Sequence, residues 1–239
     1  MKIYKNPPVI EAVCELRFSE TREFSADNID AFSRQIEEFF PIKKNAKRNE
    51  VELRVDTSTD QQEIDRRVFE FPQYLSSDEK YVVQIEANRV SIHRLRPYTA
   101  WSKFLPLIES VLLAYEQNFG LSSLARIGLR YINHIESVSS PSEAFTLKID
   151  LPEGAKGNVV SSFIGVVESV GEEGDMLRIS LGDRETEQGT IHVLDIDYYK
   201  ESELGSVEKY IEWANIAHTK VEDAFESILT ANVKAKFDT

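Results

Sequence analysis

The stretch from Pro7 to Phe18 alternates. Ile10, Ala12, Cys14, Leu16 and Phe18 fall on one side of an extended chain, and Val9, Glu11, Val13, Glu15 and Arg17 on the other. Successive strand side chains point to opposite faces, so the pattern predicts a strand with a dry face and a charged face. From Ile29 the period changes. Ile29, Phe32, Ile36, Phe39 and Phe40 recur at helical spacing, with Ser25 placed to cap the helix and Pro41 to end it. Strands are predicted again at Val51–Val55, Val68–Phe71, Tyr81–Ala87 and Val90–Leu95. The last two make a hairpin through Asn88-Arg89, where Asn88 tolerates positive φ. A helix closes this half. Thr99 caps it, Trp101, Phe104, Ile108, Leu112, Tyr115 and Phe119 form its apolar stripe, and Gly120 stops it. Pro106 either kinks that helix or moves its start by one turn.

The second half repeats the order. Strands are predicted over Leu124–Ile135, Phe145–Leu151, Phe163–Val170, Met176–Leu181 and Ile191–Tyr199, with a tight turn at Gly171–Gly174 and an acidic loop over Gly182–Gly189. A long helix follows from Ser206 to Val233, with Val207, Tyr210, Ala214, Ala217, Val221, Phe225 and Ile228 on one side. At the helical rise it is about 40 Å long. The fold class expected is α+β, an antiparallel or mixed sheet with amphipathic helices on one face. Residues 1–120 and 121–239 form two halves of similar element order, or one continuous domain.

Composition narrows the partners. There are 41 acidic residues against 28 Lys and Arg, giving a net charge of −13, so the body as a whole repels phosphate backbones. The densest basic run, Lys43, Lys44, Lys47 and Arg48, reads as a solvated connection. Direct nucleic-acid binding is not expected, and a basic protein partner is. Cys14 is the single cysteine and lies on the dry face of the first strand, where it acts as a small hydrophobe. No apolar run approaches the ~18 residues of a membrane span, and no signal-like segment opens the chain, so the expected compartment is the cytoplasm. The long last helix makes a homodimer an expectation as well.

Chemistry-bearing residues are few. Asp195 and Asp197 share a strand face, and so do Arg126 and Arg130 on another strand; mutual pairing explains both sets better than a metal. Glu11 and Glu15 share the charged face of the first strand, with Arg54 or Arg130 as cross-strand partners. None of His93, His134, His192 and His218 has a second histidine at ligand spacing. His218, at the edge of the last helix's apolar stripe, is expected to be partly buried and hydrogen-bonded. His134 stands at a strand end. GxGxxG, GxxxxGK[ST] and GxSxG are all absent. No catalytic residue, metal or cofactor is assigned. A ligand pocket between the halves would draw on Arg126, Arg130, Tyr131, Asn133, Asp195 and Asp197.

PPVIEAVCELRF at Pro7–Phe18, the Tyr74-Leu75-Ser76-Ser77-Asp78 turn, RPYTAW at Arg96–Trp101, LRYIN at Leu129–Asn133 and AHTKVEDAFE at Ala217–Glu226 stand in a characteristic order. In these the chain resembles a sporadically distributed bacterial family of uncharacterised proteins, over nearly its whole length. The resemblance supplies no catalytic residues. The family's patchy distribution is like that of toxin–antitoxin and phage-defence genes. It implies a non-enzymatic protein-binding component: an antitoxin, immunity or defence-accessory protein whose partner is encoded next door. Two other functions fit the residues, a small-ligand or nucleotide sensor or enzyme with a pocket between the halves, and a chaperone-like binder of unfolded segments.

Overall fold

The alternating opening segment lies at the middle of the sheet. In the computed structural model, β1 (Val9–Phe18) is flanked on both sides by antiparallel neighbours, β5 (Arg89–Leu95) and β6 (Leu124–Ile135). The structure describes residues 4–56, 61–136, 138, 140–147, 152–155, 160, 162–187, 189–201 and 205–238, with backbone alone for 50–56 and 61–66. Among these, nine strands form one antiparallel sheet in the order β2-β3-β4-β5-β1-β6-β9-β8-β7. The others are β2 (Ile42–Asp56), β3 (Gln61–Leu75), β4 (Tyr81–Glu86), β7 (Gly165–Val170), β8 (Asp175–Thr186) and β9 (Gly189–Lys200). The protein is α+β, with strand predominating over helix.

Ala12, Cys14 and Leu16 are fully buried on the dry face of β1, beside Ile127 and Leu129 of β6 and Ile92 of β5. Two helices cover this face. In α2 (Trp101–Phe119), Phe104, Ile108, Leu112 and Tyr115 point into the core; in α4 (Val207–Ile228), Tyr210, Ala214, Ala217 and Val221 do so. Each large aliphatic or aromatic side chain so buried contributes about 1.5–3 kcal/mol against leaving it in water. In α1 (Ala26–Ile36), Ser25 accepts a hydrogen bond from the Asn28 N–H, and Phe32 packs against Tyr74 and Phe119.

Several expectations are corrected. The basic run is not a connection: Lys43, Lys44, Lys47 and Arg48 belong to β2, paired with Asp30, Glu79, Glu70 and Glu86. The strand expected at Val51–Val55 therefore begins earlier, at Ile42, in a stretch whose Lys43, Lys44, Asn45, Lys47 and Asn49 are exposed and carry no apolar alternation. Gly182–Thr186, expected to open an acidic loop, is likewise the continuation of β8, paired with β9. Asn88 makes its turn without positive φ; among the described residues, Glu79 and Ser123 are the non-glycine residues that adopt it. Phe39 is exposed beyond the end of α1. Ala100, not Thr99, occupies the N-cap of α2, and Pro106 sits within that helix. Phe145 makes an isolated bridge to Leu229 rather than opening a strand, and residues 148–151 lie outside the described set. That bridge holds Leu229 extended, so the long helix divides into α4 and α5 (Ala231–Lys236), with α3 (Pro141–Ala144) beside the break.

Candidate functional site

The charged face of the sheet is closed upon itself. An alternating chain of ion pairs crosses it: Arg48 to Glu86, Glu86 to Arg89, Arg89 to Glu15, Glu15 to Arg126, and Arg126 to Asp197. The Arg126 guanidinium lies 4.3 Å from the centre of the Tyr199 ring. Its terminal nitrogen would be 2.7 Å from a Cβ at position 128, so Gly128 leaves it room. Arg130 grips Asp195 with two bonds, of 2.8 and 2.5 Å. Glu11 accepts from the His93 ring across 2.7 Å, which together with nearby positive charge holds its carboxyl below the ordinary range despite burial. Burial pushes Asp197 the other way, upward. Charge-assisted bonds occupy these groups, which leaves the face saturated rather than receptive.

The six residues expected around a pocket therefore divide. Arg126, Arg130, Asp195 and Asp197 lie on the charged face. Tyr131 and Asn133, alternating with Arg130, lie on the helix-covered face, and both line a cavity of about 360 Å³. Its lining draws on residues from both 1–120 and 121–239. Tyr131, Asn133, Ile196 and Val9 come from the sheet; Tyr98, Thr99, Ala100, Trp101 and Ser102 lead into α2; His218, Val221, Glu222, Asp223, Phe225 and Glu226 lie along α4; and Tyr4, Pro7 and Pro8 complete the lining. Among the described residues, no lysine or arginine lines it.

Each border has a local cause. Tyr4 is tied to α4 by its hydroxyl, 2.6 Å from Glu226, and the Asn6 N–H donates to the Phe237 carbonyl at 2.8 Å. Arg94, buried on β5, donates to the Pro97 carbonyl at 2.6 Å and stacks over Tyr81, which holds the segment carrying Tyr98. Asn133 comes from the end of β6, where the His134 N–H donates to the Pro8 carbonyl.

A polar relay runs along one wall. The Tyr98 and Tyr131 hydroxyls are 2.9 Å apart and Tyr131 meets His218 Nδ1 at 3.1 Å; His218 Nε2 lies 3.3 Å from a Glu222 oxygen without a hydrogen bond between them. Burial raises both tyrosines above their ordinary range, so both hydroxyls keep their protons at neutral pH.

Asn133 is different. It is fully buried, and its amide nitrogen donates to the Leu194 carbonyl at 3.1 Å, with the Tyr131 carbonyl at 3.4 Å. Those two acceptors fix which end of the amide is nitrogen. The opposite end, Oδ1, is a buried acceptor without a hydrogen-bond partner. Leaving such a group unmet costs about 1–3 kcal/mol.

Among the other sequence candidates, Glu15 is shared by Arg17, Arg89 and Arg126, while Arg54 lies in the part described by backbone alone. His192 is buried against Asp183, 2.5 Å away, and burial with nearby arginines lowers the His134 pKa. Cys14 is buried and its thiol pushed up to about 12. No cluster of three or more His, Cys, Asp or Glu that could hold a metal occurs among the described residues. No described helix is long and apolar enough to cross a membrane.

Sequence reasoning reached Tyr131, Asn133 and His218 but missed Tyr98, Trp101, Glu222 and the Tyr4–Pro8 wall. Signals were present: His218 and Glu222 stand four apart on one helix face, and Tyr98 and Trp101 belong to RPYTAW.

No family model and no curated protein matches this chain. A solved structure, the di-domain ARO/CYC StfQ from the steffimycin biosynthetic pathway, aligns over 96% of this chain and 98% of its own at 5% identity. Its TM-score is 0.23, which carries no argument about fold or activity.

Proposed function

We propose that this protein binds a small molecule with an apolar body in the cavity between the sheet, α2, α4 and the Tyr4–Pro8 segment, and that it works as a ligand sensor. The observation that carries this reading is the cavity itself, about 360 Å³, walled by aromatic and aliphatic side chains and counting among its lining residues Asn133, whose buried Oδ1 has no hydrogen-bond partner. Pockets of about 300–1,000 Å³ with apolar walls and a few placed polar groups are the usual form of small-molecule sites. Among the described residues the lining has no lysine or arginine, which speaks against nucleotides. A ligand here touches both halves, α4 and the Tyr4–Pro8 segment at once, so occupancy stabilises their docking. The test is titration with the neutral apolar fluorophore N-phenyl-1-naphthylamine. One saturable site is expected, and it should be lost in Ser102→Trp, which plugs the mouth from an exposed position. Absence of saturable binding to the parent chain sinks the reading.

A second reading is the protein-binding component of a bacterial accessory locus, an antitoxin, immunity or defence-accessory role. It is favoured by β7, an edge strand on which Val166, Val167 and Val170 are exposed, with Ile164 just before it. Among the described residues no strand pairs with the outer edge of β7, and such an edge accepts an added strand. The net charge of −13 favours a basic partner, and a second copy of the chain is the other occupant. Pull-down from the native host should recover a stoichiometric neighbour-encoded protein, and Val167→Lys with Val170→Lys should lose it. A parent chain isolated alone counts against this reading.

A further inference from the structure

We infer that the ligand is an amine: an ammonium group on an apolar body, rather than a carboxylate, a phosphate or a neutral lipid. This rests on the cavity being a ligand site, as proposed above. Among the described residues, every charged side chain in the lining is a carboxylate: Glu222 and Asp223 on one turn of α4 and Glu226 on the next. Glu226 already holds the Tyr4 hydroxyl and faces Lys234 at 3.3 Å, which leaves Glu222 and the exposed Asp223 for an incoming cation. The mouth is also aromatic. Trp101 lines it, and indole is the best of the side-chain faces for a cation.

The buried end of the site agrees with the rim. Asn133 Oδ1 accepts and cannot donate, so it selects an N–H or O–H and repels a carboxylate oxygen. An anion would lose its hydration and meet three carboxylates and an unpaired carbonyl oxygen. A neutral alcohol satisfies Asn133 but gains nothing at the rim. An amine satisfies the rim, and one carrying a second donor also satisfies Asn133.

The experiment is isothermal titration of the full chain at low salt and neutral pH with octylamine, octanol and octanoate. Chain length is held constant, so the three differ in head group alone. Octylamine is expected to bind about tenfold more tightly than octanol, the size of one charge-assisted contact at a partly exposed rim, and octanoate more weakly than either. The double variant Glu222→Gln, Asp223→Asn should bring octylamine to the octanol affinity and leave octanol unchanged. Octanoate or octanol binding as tightly as octylamine overturns the amine assignment while leaving a ligand site intact. If none of the three binds and N-phenyl-1-naphthylamine also fails, the ligand site itself falls, and the assignment with it.

Discussion

The Trp101 indole lies almost flat on the His218 imidazole, with ring centroids 4.5 Å apart and 19° between the planes. The first residue of one long helix is thereby fastened to the middle of the other. A hydrogen bond of 2.9 Å from the indole nitrogen to Asn215 Oδ1 fixes the orientation. Trp101 is thus a wall of the cavity and a clamp between α2 and α4 at the same time. Trp101→Ala should cost about 2–3 kcal/mol of unfolding free energy, less than a fully buried tryptophan because one side is open to solvent. It should also weaken binding of the apolar fluorophore at least tenfold. Urea titration and fluorescence measured on the same sample separate the two effects.

Asn133→Leu should distinguish polar recognition from simple apolar burial. The substitution conserves volume and removes the unmet oxygen along with two modest donor contacts, to Leu194 and Tyr131. Stability is expected to change by less than about 1 kcal/mol, because lost bonds and relieved desolvation offset each other. Affinity for octanol should fall several-fold, whereas a pure hydrocarbon probe should bind as before. A parallel loss of both would mean that Asn133 shapes the cavity and does not read a donor.

The legible parts of this fold are those where a local pattern and a tertiary environment agree. Residues Ala12 to Phe18 of β1 alternate because one face is core and the other an ionic ladder, and Ser25 announces α1 because the cap is a local bond. The break at Leu229 was not legible, because the helical period runs through it without interruption. The chain stays extended there only because Phe145, far away in sequence, pairs with it. The cavity is the same kind of object. Its border joins Tyr4, Trp101, Asn133 and Glu222, four segments that only the fold brings together. Single residues of it could be named in advance, but their meeting could not. Alternation likewise placed Arg130 and Tyr131 on opposite sides of β6, and applied strictly it would have divided the expected ligand set.

Glu11 should confer acid sensitivity of a definite sign. Its bond to His93 lowers its pKa below the ordinary 4.5 in the folded state. The stabilisation is therefore fully present above 4.5 and is lost as the pH falls through the folded value. Glu11→Gln should be less stable than the parent by about 1 kcal/mol near neutrality. The difference should shrink toward zero in strong acid. Urea midpoints compared at neutral and strongly acidic pH check this, and a gap that widens on acidification would refute it.

Thr230 restarts the chain after the Leu229 break, and three bonds converge on it. Its hydroxyl donates to the Glu143 carbonyl at 2.6 Å and accepts from the Val233 N–H at 3.4 Å, while its own N–H reaches the Ala144 carbonyl at 3.0 Å. Thr230→Ala removes the two side-chain bonds and keeps the third, so it should cost about 1 kcal/mol, as loss of an N-cap does. Thr230→Ser should restore most of it. The consequence reaches further than α5, because Phe237 at its end packs edge-on against Tyr4 and accepts from the Asn6 N–H. Loosening α5 therefore loosens the Tyr4–Pro8 wall of the cavity. Amide exchange should rise at Asn6 and Val233 in Thr230→Ala while remaining unchanged in β1. Saturating octylamine should suppress the rise at Asn6, because a ligand that touches Tyr4 and Pro8 holds that wall in place whether or not α5 does.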